Sequence, residues 1–196
     1  AKIASDILQQ KGATPTFLGY GSNPPFPDVI CISVNDQVQH CVPSNIPFQD
    51  GDIVNFDFGV TYKGMITDAG ITVCIGGDHS RENDRLLRGT EEALNAAINI
   101  VKPGVKIGDI SATIEKVLKK HRLGIVKELV GHGVGRELHE DPEIPNYGKA
   151  GLGAVLLPGM TIAIEPITTL GKPDIYEEND GWGLRTWDKS WSAQFE

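Results

Sequence analysis

The sequence predicts an α+β fold with antiparallel pairing. Three observations carry that prediction. Residues 82–101 and 107–121 read as helices. Residues 30–42 and 53–75 read as strand pairs that double back on themselves. Helices therefore alternate with hairpins and not with single strands, which favours antiparallel sheets.

Each element has a local reason. Residues 1–12 read as the end of a helix stopped by Gly12, and 19–29 as a loop rich in Gly and Pro. The alternation over 30–42 surrounds a turn at Asn35-Asp36. The helix over 82–101 ends at Pro103-Gly104. The next has Asp109 or Ser111 near its start and Lys119-Lys120 near its end, which suits the helix dipole. Strands and loops follow over 124–131, 160–168 and 189–196.

Bulk properties narrow the function. With 196 residues the chain fits one domain able to bury a core, and 40% hydrophobic with 22% charged residues is a globular mix. A net charge of −8 argues against nucleic-acid or anionic-membrane partners, which need a basic face. No apolar run reaches the roughly 20 residues of a membrane span. Cys31, Cys41 and Cys74 are odd in number and lack zinc-like spacing, so free thiols in a reducing cytoplasm are expected. The histidines are His40, His79, His121, His132 and His139.

The segment Ile53-Val54-Asn55-Phe56-Asp57-Phe58-Gly59-Val60 places Asn55 and Asp57 on one strand face, and Val54, Phe56 and Phe58 on the other. The chain turns near Tyr62-Lys63-Gly64 and returns through Asp68. With the turn centred on Tyr62-Lys63, Asp57 and Asp68 are directly opposed on one face, their Cβ atoms about 4.5–5.5 Å apart. A three-residue loop would send them to opposite faces. Two opposed carboxylates need a cation between them, or else they are simply two solvated aspartates.

A histidine between glycines, Gly131-His132-Gly133, precedes Glu137-Leu138-His139-Glu140. The glycines let neighbouring backbone approach closely. Imidazole nitrogen beside carboxylate oxygen suits Mn, Fe, Co or Zn better than Mg or Ca. Glu165, in the apolar run Ile162-Ala163-Ile164-Glu165-Pro166, is drawn inside, where a carboxylate must be paired, protonated or metal-bound. Asp57, Asp68, His132, Glu165 and Glu196 form a candidate ligand set. Its four carboxylates would balance two divalent cations.

The set NFDFG (55–59), TDAG (67–70), GHGVGRELHE (131–140), IEPI (164–167) and SAQFE (192–196) resembles type I methionine aminopeptidases. The likeness runs from about Leu18 to Glu196. It implies the pita-bread fold, a curved antiparallel sheet with helices on its outer face. It also implies removal of N-terminal methionine from nascent proteins and peptides, by a hydroxide bridging two divalent metals (Co, Mn, Fe or Zn). Carried over residue by residue, Asp57 binds one metal and Asp68 bridges, while His132 and Glu165 bind the other and Glu196 bridges. Glu165 doubles as a proton shuttle. His139 contacts the scissile carbonyl, and His40 contacts the substrate near the scissile amide. Tyr20, Phe26, Cys31, Leu138 and Trp182 are the implied walls of an apolar side-chain pocket.

The resemblance further implies one catalytic domain over 1–196, truncated at both ends, and a cytoplasmic monomer that meets nascent chains at the ribosome. Glu196, as the last residue, is expected to be loosely held, with few supporting contacts. Two positions depart from the family pattern. Cys41-Val42-Pro43 stands where Gly-Ile-Pro is usual, and Leu138 replaces a commonly aromatic residue. A prolidase or an X-Pro aminopeptidase is the nearest competing reading.

Overall fold

A computed structural model describes residues 1–21, 23–77 and 80–196. Ser22, in the Gly/Pro-rich loop, and His79 lie outside them. Helix α1 (Lys2–Lys11) opens the chain and ends at Gly12, whose φ of 67° is the left-handed cap expected there. Strands β1 (Thr14–Pro15), β2 (Cys31–Val34), β3 (Gln37–Gln39), β4 (Ile53–Asp57), β5 (Val60–Tyr62), β6 (Met65–Thr67) and β7 (Gly70–Cys74) follow. Then come α2 (Arg81–Ile98) and α3 (Ile107–Lys120). The last part holds β8 (Gly124–Ile125), β9 (Gly131–Gly133), β10 (Glu140–Ile144), β11 (Ile162–Ala163), β12 (Ile167–Thr169), β13 (Ile175–Glu177), β14 (Leu184–Thr186) and β15 (Ser192–Gln194).

Every named ladder is antiparallel. The strands pair in short three-stranded pieces, with orders β1-β5-β6, β2-β4-β7, β13-β14-β3, β10-β9-β11 and β15-β12-β8. Strands β10, β13 and β14 were not expected from sequence. Pro142 lies inside β10, which it can do because β10 is an edge strand.

Helices α2 and α3 begin and end close to the predicted limits. Ser80 caps α2, its side chain accepting from the Asn83 N–H. Asp109 closes the first turn of α3 by accepting from the Lys106 N–H at 3.1 Å. The two helices bury Leu86, Ala93, Ile110, Ile114 and Leu118 against each other and against Ile125, Ile144, Ile164, Ala193 and Phe195. This core lies directly behind the site. Ile164 and Phe195 point into it, and the next residues, Glu165 and Glu196, belong to the candidate ligand set.

The β2-β4-β7 ladder buries polar as well as apolar residues. Asn55 and Asp57 are 3% and 4% exposed, less than Phe56 on the opposite face. Strand β15 covers the polar face. The Asn55 Nδ2 donates to Gln194 Oε1 at 2.8 Å, and the Gln194 N–H donates to Thr72 Oγ1 at 2.9 Å. A buried polar face is stable only when its groups are bonded in this way.

Candidate metal centre

The hairpin β5-β6 turns at Lys63-Gly64, not at Tyr62-Lys63. Both residues have positive φ, 50° and 77°, the signature of a two-residue turn matched to strand twist. Val60 therefore pairs with Thr67, and Asp57 pairs with Gly70. Asp68 lies two residues before that partner, which makes it a diagonal neighbour of Asp57. A shift of two residues preserves the face, so the carboxylates still meet.

The Asp57 Oδ2 accepts a 2.8 Å hydrogen bond from the buried amide of Gln39, at the end of β3. Its Oδ1 is buried with no hydrogen-bond partner. The same holds for Glu165 Oε1 and Glu196 Oε1. Three buried carboxylate oxygens without donors are costly alone, and they are what a cation would satisfy. Burial raises the carboxyl pKa of Asp57 and Glu196 well above the usual range, and repulsion from the neighbouring carboxylates adds to it. Asp68 is pushed up to about 6, by burial first and Glu165 second. Burial also raises Glu165, although His132 opposes it.

His132 lies on β9 between two glycines whose missing side chains matter. A Cβ at Gly131 would collide with the Ala163 carbonyl, and one at Gly133 with the Asp141 carbonyl. The close approach expected from sequence is thus to the flanking strands. The His132 Nδ1–H donates to Gly133 O at 2.8 Å, so the neutral ring keeps its lone pair on Nε2. That nitrogen is 3.2 Å from Glu165 Oε1, at ion-pair distance but out of line for a hydrogen bond. Burial works against the charged ring, but Glu165, the Gly133 carbonyl and Asp68 raise its pKa overall. Ligand atoms of Asp68, His132 and Glu196 all lie within 4.8 Å of one another.

Glu196 is better held than expected. Its N–H donates to Gly70 O at 2.9 Å, and its Oε2 accepts from Gln194 Nε2 at 3.1 Å. The pairing of β15 with β12 carries it to the site.

Beside the carboxylates is a cavity of about 80 Å³. Its apolar lining includes Phe26, Cys31, Leu138 and Trp182, and also Phe17, which sequence reasoning missed. Trp182 stacks edge-on to Phe26, with ring centroids 5.3 Å apart. Burial and nearby carboxylates push the Cys31 thiol far up, and burial takes Cys41 to about 11, so neither is a ready thiolate nucleophile.

Tyr20, His40 and His139 also line the cavity. His40 adopts a left-handed φ of 57°, unusual for a residue with a Cβ. Burial, and then the charge of His139, take its pKa down to about 4. His139 stands at the mouth with its ring 4.5 Å from that of His132, almost perpendicular to it at 84°. Gln39 and Gln194, which hold two of the carboxylates, were also missed. Gln194 was accessible to reasoning, because it is two residues before Glu196 on a strand of period two.

A family model for metallopeptidase family M24 matches residues 1–196. The chain belongs to that family. It is 40% identical to a methionine aminopeptidase of Clostridium perfringens, over all of this chain and 77% of the relative. It is 42% identical to one of Aquifex aeolicus, over 99% of this chain and 77% of the relative. A crystal structure of a methionine aminopeptidase from Thermotoga maritima superposes with a TM-score of 0.93 at 41% identity, covering 97% of this chain and 75% of that one. The fold is thus that of the M24 pita-bread enzymes. Membership also implies use of a divalent metal, and the clustered carboxylates and His132 fit one. Among the described residues, no helix is long and apolar enough to cross a membrane.

Proposed function

We propose that the chain is a methionine aminopeptidase that hydrolyses the first peptide bond of substrates beginning with Met. The observation that carries this reading is the convergence of unpartnered buried oxygens of Asp57, Glu165 and Glu196 beside a cavity with apolar walls. The relatives' names supply the substrate, and the cavity's size and lining agree with one unbranched thioether side chain.

Asp57, Asp68, His132, Glu165 and Glu196 would hold two divalent cations, with Mn, Fe, Co and Zn suited to the mixed oxygen and nitrogen donors. When bound, such a pair acidifies a water and polarises a carbonyl. The rest is the work of the side chains. Glu165 takes the proton of the attacking water at its carboxylate and passes it to the leaving amine. His139 donates to the carbonyl oxygen as negative charge develops there. His40, neutral at pH 7, contacts the substrate near the scissile amide. Phe17, Tyr20, Phe26, Cys31, Leu138 and Trp182 enclose the methionine side chain and exclude water.

The reading extends to one catalytic domain over residues 1–196, acting as a monomer on nascent chains at the ribosome. The absence of a disulfide among the described residues accords with the cytoplasm.

The test is methionine release from Met-Gly and Met-Ala peptides with added Mn or Co. Release should stop with chelator and fail on N-acetylated peptides. Metal binding without release from any Met peptide would overturn the assignment. Preferential cleavage of X-Pro dipeptides would replace it with a prolidase reading.

A further inference from the structure

We infer that Tyr20 is a positioning residue, which holds His139 in the tautomer that carries its proton on Nε2 and so presents a donor to the substrate. The inference rests on the proposed role of His139. It is carried by the 2.6 Å hydrogen bond between the Tyr20 hydroxyl and His139 Nδ1.

The argument is one of donors and acceptors. A neutral imidazole has one N–H, and the scissile carbonyl oxygen can only accept. If Nδ1 donated to the phenol oxygen, Nε2 would be a lone pair facing another lone pair. Only with the Tyr20 O–H donating to Nδ1 does Nε2 keep its proton. Partial burial, and then Glu137, hold the phenol above its ordinary range, so the O–H is intact at neutral pH.

The local backbone makes Tyr20 a fixed support. Gly19 and Gly21 flank it with φ of 82° and 77°, conformations that glycine adopts without strain. The Tyr20 N–H donates to Phe17 O at 2.9 Å, and its carbonyl accepts from the Phe26 N–H at 2.8 Å. The phenol ring meets the His139 ring edge-on, with centroids 5.5 Å apart. His132 presses on another side of the same ring.

Two histidines in contact are therefore set to opposite tautomers. Gly133 O accepts a hydrogen bond from His132 Nδ1–H, which leaves Nε2 of the neutral ring as a lone pair for a ligand role. Tyr20 does the reverse for His139 and makes its Nε2 a donor. Each ring is assigned its task by what touches the nitrogen that does not perform it.

The test is nitrogen-15 NMR of the imidazole rings in the full chain, with chelator present, for the native protein and Tyr20→Phe. His139 signals are assigned by their loss in His139→Gln. The native ring should be the Nε2–H form, and Tyr20→Phe should mix the tautomers. Its kcat should fall about three- to tenfold, the usual worth of one neutral hydrogen bond, with KM changed less. A native His139 protonated on Nδ1 overturns the inference, and so does a Tyr20→Phe protein with unchanged tautomer and kcat. An Nε2–H ring that mixes on substitution, in a chain that releases no methionine, upholds the Tyr20 contact and overturns the proposed function instead.

Discussion

The side-chain amide of Gln194 donates to the carboxylate of Glu196, two residues further along, at 3.1 Å. The same amide accepts from Asn55, which ties the last strand to the centre of the β2-β4-β7 ladder. Gln194→Ala removes both contacts from a fully buried position. Divalent-metal affinity should drop about 10- to 100-fold, as for other residues that orient ligands. Calorimetric titration with Mn checks this, and an unchanged affinity would mean that Glu196 orients itself.

Asp68→Asn keeps shape and removes one charge from a crowded set. The metal-free protein should melt at a higher temperature than the native one, because repulsion with the other carboxylates is relieved. The rise in melting temperature that Mn or Co gives the native chain should disappear. Thermal unfolding with and without cation reads both effects.

The pH dependence follows from the same groups. Asp57, Asp68, Glu165 and Glu196 all have raised pKa values in the metal-free site, and so does His132. A group raised on folding binds more protons folded than unfolded, so its stability contribution is present at low pH and lost as pH rises through the folded value. For Asp68 that window runs from the ordinary value of 3.8 to about 6. His40 and His139, lowered by burial, work the other way below their ordinary value of 6.5. The five raised groups outnumber them, so the chelator-treated protein should be more stable at pH 5 than at pH 7.5. Saturating Mn should flatten or invert that slope, because the cation favours the ionised carboxylates. A melting temperature that rises with pH under chelator would contradict this account.

His139→Ala should leave metal content unchanged and lower turnover on the order of 10²–10³-fold, as for loss of an oxyanion donor. Metal analysis of the purified protein, alongside kcat for Met-Ala peptides, separates this from a failure to bind cations.

His40 carries a left-handed backbone that Asn tolerates better. His40→Asn should keep or raise the melting temperature while methionine release falls on the order of tenfold or more. A stable, fully active variant would remove His40 from the site.

The metal-ligand candidates were legible because carboxylates and a histidine occur in otherwise apolar or glycine-rich segments. Asp57 and Asp68 share a face even though the turn lies one residue further on than Tyr62-Lys63, because that displacement shifts the pairing by two residues and the strand period is two. The sign of positive φ at Lys63 is not readable from lysine, so the turn centre was lost. Gln39 was lost for another reason. Its partner, Asp57, is 18 residues away and meets it only through the fold. The strand over 140–144 was hidden by its charges and by Pro142, which sequence alone assigns to a loop.

Ile164 and Phe195 sit in the helical core, and their neighbours Glu165 and Glu196 sit in the site. One stretch of backbone thus serves as the fulcrum between a packed interior and a reactive surface. A hollow made behind it, for example by Ile114→Ala, would cost about 2–5 kcal/mol of stability. It would also let a glutamate drift by fractions of an ångström. Catalytic rate in this enzyme class would then be open to adjustment from the rear, by helix residues that no substrate ever meets.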